Sequence, residues 1–359
     1  MEIFQSLKAF GYGELHFGRD EESELHTIVA LHSTKLGPAI GGCRVRAYAN
    51  EAAAIEDVIR LAQGMTYKAA LARLPHGGGK AVLMAPPHMG TPAFTQEKRD
   101  AMFRAFGRFV DGLNGRYHTA EDSGTSASDM DVIRGVTRSV LGVSVDKGGS
   151  GDPSPFTALG VRRGIEAVAH ALFGRSDLKG LHVAVQGVGH VGMHLARELS
   201  QAGARLTITD IDPARRAAIA TEVGAAVVDV DQILEIDCDV IAPCALGGAL
   251  TEWVVPRLKA KAIAGAANNQ LRTPAVGRAL HERGIFYAPD YAINAGGLIN
   301  VAEEFGGYNR ERSTKKTLAI YETISDIIDR SRREKSPPEQ IADRMAEEII
   351  AAGPEALRG

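Results

Sequence analysis

One stretch constrains this chain more than any other: residues 181–212, LHVAVQGVGHVGMHLARELSQAGARLTITDID. An apolar run at 182–186 enters Gly187-x-Gly189-x-x-Gly192, which opens an amphipathic segment with Leu195 and Leu199 on one face. A second apolar run, RLTITD, then ends at Asp210. The glycine pattern alone is weak, but strand, turn, helix, strand and acid in succession predict a parallel βαβ unit that binds a dinucleotide. In such a unit the glycines permit a tight turn and close approach of a pyrophosphate, and the helix N-terminus supplies free N–H groups and positive potential. Residues Gly187, Val188, Gly189, His190, Val191 and Gly192 are therefore the candidate cofactor loop. A carboxylate at Asp210 accepts hydrogen bonds from a ribose and repels a 2′-phosphate, which predicts NAD over NADP. Arg215 and Arg216 close by work against that preference.

A chain of 359 residues exceeds the size at which one core stops growing, so two domains are expected. The Gly/Pro/Ser stretch VDKGGSGDPSPF, from residue 145, marks the boundary, giving domains at 1–145 and 146–334. Before it, strands are predicted at 26–32 and 81–85 around a long helix from Asn50, its N-cap, with Ile55, Val58, Ile59, Ala62 and Met65 forming a buried stripe. A second helix at about 96–113 leads to a short strand ending in the polar loop TAEDSG. After the boundary, a helix at 156–173 precedes alternating strands and helices to about residue 290, the signature of a doubly wound parallel sheet. Two helices close the chain around EKSPPE, where Ser336 is the expected cap, proline fills N1 and Glu339 completes a capping box.

Composition excludes several classes. A formal net charge of −3 provides no basic field for nucleic acid. No uncharged apolar stretch has membrane-spanning length, and the start MEIFQSLKAF lacks an apolar signal region, which points to the cytoplasm. Cys43, Cys238 and Cys244 include no C-x2-C pair, so reduced core thiols and no metal site are expected.

Glycine is in excess, and one cluster delivers a lysine: LPHGGGKAVL, residues 74–83. A phosphate-binding P-loop would need Gly at Leu74 and Ser or Thr at Ala81. The His-Gly-Gly-Gly string also resembles a hydrolase oxyanion loop, but no G-x-S-x-G nucleophile accompanies it. With a nicotinamide cofactor expected, Lys68, Lys80 and Asp122 form a different inventory. Amino-acid oxidation needs a cation for the α-carboxylate, a neutral amine to activate water, and a carboxylate to shuttle protons. Burial and a second ammonium nearby both favour the neutral amine. The glycines at 77–79 would clear space for substrate. Taken singly, each lysine also fits a solvated side chain, and Asp122 a turn residue.

The segments GPAIGGCR, AIEDVIRLAQGMTYKAA, GGGKAV, NGRYHTAEDSGT, VQGVGHVG, APCALGG, GAANNQL and YAPDYAINAGGLINVAEE run in order from residue 37 to 304. In these segments the chain resembles the glutamate/leucine/phenylalanine/valine dehydrogenase family, its leucine branch most of all. The resemblance implies an α/β chain of two domains separated by a cleft. The N-terminal substrate and oligomerisation domain would be completed by C-terminal helices at 335–359, and the C-terminal domain would be a Rossmann NAD-binding unit. It implies that Lys68 holds the substrate carboxylate, Lys80 is the catalytic base and Asp122 transfers protons. Thr157, Ala245 and Asn268 would contact NAD. Gly41, Gly42 and Asn294 would lie beside the substrate, with Ile40, Ala120, Leu298 and Val301 around its side chain.

The implied reaction is reversible oxidative deamination of an amino acid to a 2-oxo acid and ammonia by a homo-oligomer, an octamer among the options. An apolar pocket offers no cation to a glutamate side chain, which argues against that substrate. Leucine, valine, isoleucine and phenylalanine stay open: Leu298 narrows the pocket towards valine, whereas Glu121 and Asn300 follow the leucine pattern. Arg73 departs from the family, where a small residue is usual. A catalytically silent NAD-binding redox sensor would explain the glycine loop but would have no need of Lys68, Lys80 and Asp122.

Overall fold

In the first half of the chain, alternation of apolar and small residues builds a mixed sheet whose two faces serve different ends. A computed structural model describes residues 3–9, 11, 13–245 and 247–357. The chain divides into two units. One holds the chain up to Gly151 with Val301–Arg310 and the residues from Ala346; the other holds Asp152–Asn300 and Glu311–Met345. Leu246, the chain start MEIFQSLKAF in part, and the last two residues of the 335–359 range lie outside the described residues.

The first unit opens with α1 (Ile3–Ala9), β1 (Glu14–Asp20), β2 (Leu25–Ser33) and β3 (Ala39–Arg46). It continues through α2 (Glu51–Leu71), β4 (Gly77–Met84), α3 (Gln96–Asp111), β5 (Tyr117–Glu121) and α4 (Ala127–Arg134). The strands run in the order β1-β2-β4-β3-β5, with β3 parallel to β4 and β5, and β2 antiparallel to β1 and β4. Because successive strand residues face opposite sides, one face carries Ile28, Ala30 and Val82 against the Ala54, Val58, Ile59 and Ala62 stripe of α2. The other carries Cys43, Val45, Ala81 and Leu83 against Met102, Phe103 and Phe106 of α3 and Met130 and Ile133 of α4. Asn50 caps α2 as expected, its side chain accepting the Ala53 N–H at 2.9 Å.

The triple glycine corrects the sequence reading. Gly77, Gly78 and Gly79 are paired strand residues, not a loop: Gly78 lies opposite Ile40 of β3, and Gly79 opposite Leu31 of β2. A Cβ on Gly78 would collide with the backbone N and Cα of Thr66 in α2, and one on Gly77 with the Ser33 carbonyl. The glycines thus let helix and neighbouring strands pack at backbone distance; the space they leave is already filled by protein.

The second unit is a parallel sheet. Its elements are α5 (Ser154–Phe173), β6 (His182–Gln186), α6 (His190–Gln201), β7 (Arg205–Thr209), α7 (Pro213–Val223) and β8 (Ala226–Val227). Next come β9 (Val240–Pro243), β10 (Ala262–Ile263), α8 (Pro274–Glu282), β11 (Phe286–Tyr287) and α9 (Asp290–Ile293). The strand order is β11-β10-β9-β6-β7-β8, every pair parallel. Numbered from β6 as first, that is the 3-2-1-4-5-6 order of a Rossmann fold. The remaining helices are α10 (Gly296–Ala302), α11 (Arg310–Leu318), α12 (Ile320–Glu334) and α13 (Pro338–Ala352). The expected capping box is absent: α13 begins one residue late, at Pro338, and the Ser336 hydroxyl turns back to the Glu334 carbonyl at 3.3 Å. Among the described residues no helix is long and apolar enough to cross a membrane.

Candidate active site

In the first unit, strand alternation places Ile40, Gly42 and Arg44 of β3 on the α2 side of the sheet with Gly78 and Lys80 of β4. Ala120 of β5 pairs with Gly42, and Asp122 follows just past the strand end. Lys80 Nζ lies 3.2 Å from Asp122 Oδ2, and only 7% of the Lys80 side chain is exposed. The same oxygen accepts Arg44 Nε at 2.8 Å. Arg44 Nη1 reaches back to Asp57 Oδ2 at 3.1 Å, and Tyr48 donates its hydroxyl to that oxygen at 2.8 Å. Burial alone would raise the Asp122 carboxyl, but the Lys80 and Arg44 cations override it and hold its pKa below the ordinary carboxylate value. The Asp122 backbone is pinned as well, its N–H donating to Thr125 Oγ1 at 2.8 Å.

Close packing leaves these groups little latitude. A Cβ on Gly42 would come within 2.8 Å of Asp122 Cβ, and one on Gly41 would strike the Gly79 carbonyl. Lys68 stands half-buried in the last turn of α2, two residues after the Thr66 that meets Gly78, as Lys80 stands two residues after Gly78. One helix-to-strand contact therefore fixes the backbone under both lysines. Ile40 and Ala120 are buried, at 1% and 8% exposure, and Val301 is half-buried in α10. Arg73 points away: exposed just past α2 in left-handed backbone at φ 53, it donates to the Ala356 carbonyl at 3.0 Å. Cys43, behind the strand, is a core thiol whose pKa burial pushes up to about 12.

In the second unit Gly187 turns at φ 91, and Gly192 sits where a Cβ would strike the Gly187 carbonyl. Gly189 is the N-cap of α6 and brings no side-chain acceptor, so the N–H groups of its first turn, at His190, Val191 and Gly192, are left for an outside acceptor. Asp210 is buried; its Oδ2 accepts the Val188 N–H at 2.8 Å and its Oδ1 the Asp212 N–H at 2.9 Å. Ala245 packs against Gly187. Asn294, 4% exposed, donates to the Ala266 carbonyl at 2.9 Å and to Asn268 Oδ1 at 2.8 Å, so its amide holds the segment bearing Asn268. Thr157, in the first turn of α5, donates to the Pro153 carbonyl at 3.1 Å and lies against Gly297 at the start of α10, one residue before half-buried Leu298. A bare-backbone turn, an uncapped helix start and a carboxylate beyond the next strand fit a dinucleotide.

Two family models match in sequence: Glu/Leu/Phe/Val dehydrogenase, dimerisation domain, over residues 15–139, and Glutamate/Leucine/Phenylalanine/Valine dehydrogenase over 148–214 and 207–330. The chain belongs to this family. Leucine dehydrogenase of Geobacillus stearothermophilus is 51% identical over 350 residues, covering 98% of this chain and 94% of the relative. The Bacillus subtilis leucine dehydrogenase is likewise 51% identical over 350 residues, with the same coverage. The crystal structure of L-tryptophan dehydrogenase from Nostoc punctiforme superposes with a TM-score of 0.85 at 40% identity, covering 98% of this chain and 99% of that one. The chain is thus an amino acid dehydrogenase with the two-domain α/β fold of its family.

Arg44, Asp57 and Tyr48 were not among the residues singled out from sequence. Arg44 ends the family segment GPAIGGCR and Asp57 lies in AIEDVIRLAQGMTYKAA. The available signal was strand alternation, which puts Arg44 on the same face as Gly42.

Proposed function

We propose that this family member catalyses the reversible NAD-dependent oxidative deamination of a branched-chain L-amino acid, leucine together with valine and isoleucine, to the 2-oxo acid and ammonia. The observation that carries this reading is buried Lys80 paired with half-buried Asp122, 3.2 Å apart on a sheet face that also presents Ile40 and Ala120. When bound, NAD supplies the acceptor for the hydride leaving the α-carbon. Lys80, in its neutral form, takes a proton from the water that attacks the imine carbon. Asp122 passes protons to and from the nitrogen that departs as ammonia. Lys68 holds the α-carboxylate, with Gly41 and Gly42 beside the substrate.

In the second unit, the turn from Gly187 to Gly192 and Ala245 are assigned to the cofactor's pyrophosphate region, Asp210 to its ribose, and Thr157 and Asn268 to its nicotinamide end. Asn294 and Leu298 are assigned to the substrate. NAD is favoured over NADP because the two nearby arginines are turned to carboxylates: Arg215 meets Asp212 at 3.0 Å and Arg216 meets Asp229 at 3.8 Å. Uncharged Ile40, Ala120, Leu298 and Val301 favour an aliphatic side chain over a carboxylate one. The three cysteines are free thiols, which suits a reducing cytoplasm. The assembly is a homo-oligomer, for which light scattering gives the subunit number. Substrate is tested by a kinetic panel of leucine, valine, isoleucine, phenylalanine and glutamate with NAD and NADP; absence of NADH formation with every amino acid would overturn the reading.

A further inference from the structure

We infer that Arg44 is a positioning residue for this reaction: forked between Asp122 and Asp57, it dictates which Asp122 oxygen meets Lys80. The inference rests on the function proposed above. Arg44 Nε and Lys80 Nζ both donate to Oδ2 of Asp122, at 2.8 and 3.2 Å, while among the described residues Oδ1 takes no hydrogen bond. The Asp122 carboxylate therefore has one oxygen committed to protein and one left over. Without Arg44, rotation about the Cβ–Cγ bond would exchange the two oxygens beneath Lys80 and nothing would distinguish them.

Arg44 can hold that orientation because it is itself held. Nη1 donates to Asp57 Oδ2 at 3.1 Å, Tyr48 shares that oxygen at 2.8 Å, and Arg60 approaches Asp57 Oδ1 at 3.4 Å. Its side chain is 16% exposed and that of Asp57 11%, so water competes weakly for either end. A planar guanidinium can donate to two carboxylates in fixed directions, which a lysine ammonium cannot reproduce. The geometry also balances charge. Asp122 faces two cations, Lys80 from β4 and Arg44 from β3, and the second Arg44 contact is the α2 carboxylate Asp57. Lys80 is then not the sole counter-ion of Asp122.

The test compares Arg44→Gln, Arg44→Lys and Asp57→Asn with the wild-type enzyme by kcat and KM for leucine across pH, with NAD affinity and melting temperature measured on the same samples. Misplacing a catalytic group by about 1 Å costs on the order of 10²-fold in rate. Arg44→Gln is accordingly expected to lose about that in kcat with KM for leucine and NAD affinity little changed. Arg44→Lys should recover only part, and Asp57→Asn, which keeps Arg44 but frees its far end, should lose less. Arg44 is one of the two cations that hold the Asp122 carboxyl below its ordinary value, so its removal should shift the acid limb of kcat/KM that reports Asp122 ionisation to higher pH in Arg44→Gln. Folded Arg44→Gln with wild-type kcat and an unmoved profile overturns the inference. If Arg44→Gln does not fold, Asp57→Asn and Arg44→Lys decide it, and wild-type kinetics in both overturn it. A wild-type enzyme inactive on every amino acid would instead defeat the underlying function.

Discussion

Asp122 Oδ2 receives Lys80 Nζ at 3.2 Å and Arg44 Nε at 2.8 Å, so the proposed base and its partner carboxylate share one oxygen with a permanent cation. Such an arrangement keeps a carboxylate ionised next to an amine that must at some point be neutral.

Replacement of Lys80 by alanine should therefore remove the proton acceptor without touching the dinucleotide loop. General-base catalysis contributes about 10²–10⁴-fold, so kcat should fall by at least the lower figure while NAD binding, followed by fluorescence titration, stays at the wild-type value. Unaltered turnover would take Lys80 out of the mechanism.

The depressed Asp122 pKa has a stability consequence whose sign is fixed. The folded protein holds the carboxylate ionised below the ordinary carboxylate range, so the pair's contribution is present at pH above about 3.9, the unfolded value, and is lost as pH falls through the lower folded value. Asp122→Asn should lower the melting temperature by a constant amount from neutral pH down to that point. Below it the gap to wild type should narrow; a gap that closed already between neutral and mildly acidic pH would contradict the assignment.

Two glycines close together in sequence should respond in opposite directions. Gly78→Ala forces a Cβ into the Thr66 backbone, which cannot rotate away, and should destabilise by about 1–3 kcal/mol or more. Gly64→Ala, inside α2 with nothing within 4 Å of the new Cβ, should stabilise by roughly 0.5–1 kcal/mol through helix propensity. Chemical denaturation of the two variants measures both, and equal shifts would refute the packing argument.

Gly192→Ala brings a Cβ onto the Gly187 carbonyl at the mouth of α6. We expect NAD affinity to weaken by at least about tenfold, or 1.4 kcal/mol, in a fluorescence titration. Unchanged affinity would mean that the turn does not carry the cofactor.

Much of this was legible in the chain itself. The strand–glycine–helix–strand–acid order of 181–212 identified the dinucleotide fold because each part is a local signal: period-2 runs, a turn needing positive φ at Gly187, and a helical stripe. Family segments singled out Lys68, Lys80 and Asp122, of which the structure pairs Lys80 with Asp122. The glycine triplet was misread for the opposite reason. Its meaning lies in Thr66, a dozen residues away on another element, and a run of glycines looks the same before a loop as inside a strand that a helix approaches at backbone distance. The Ser336 cap failed at close range, where one residue of shift at the helix start redirected the hydroxyl.

Sequence by itself thus determined most element types and the Rossmann unit, because helical and strand periodicity and turn chemistry act over a few neighbouring residues. Tertiary structure alone decided that Arg44 and Asp57 stand behind Asp122. Strand pairing between β3 and β5 and the packing of α2 on the sheet bring together residues 13 to 78 positions apart, and no local rule registers a contact made across that separation.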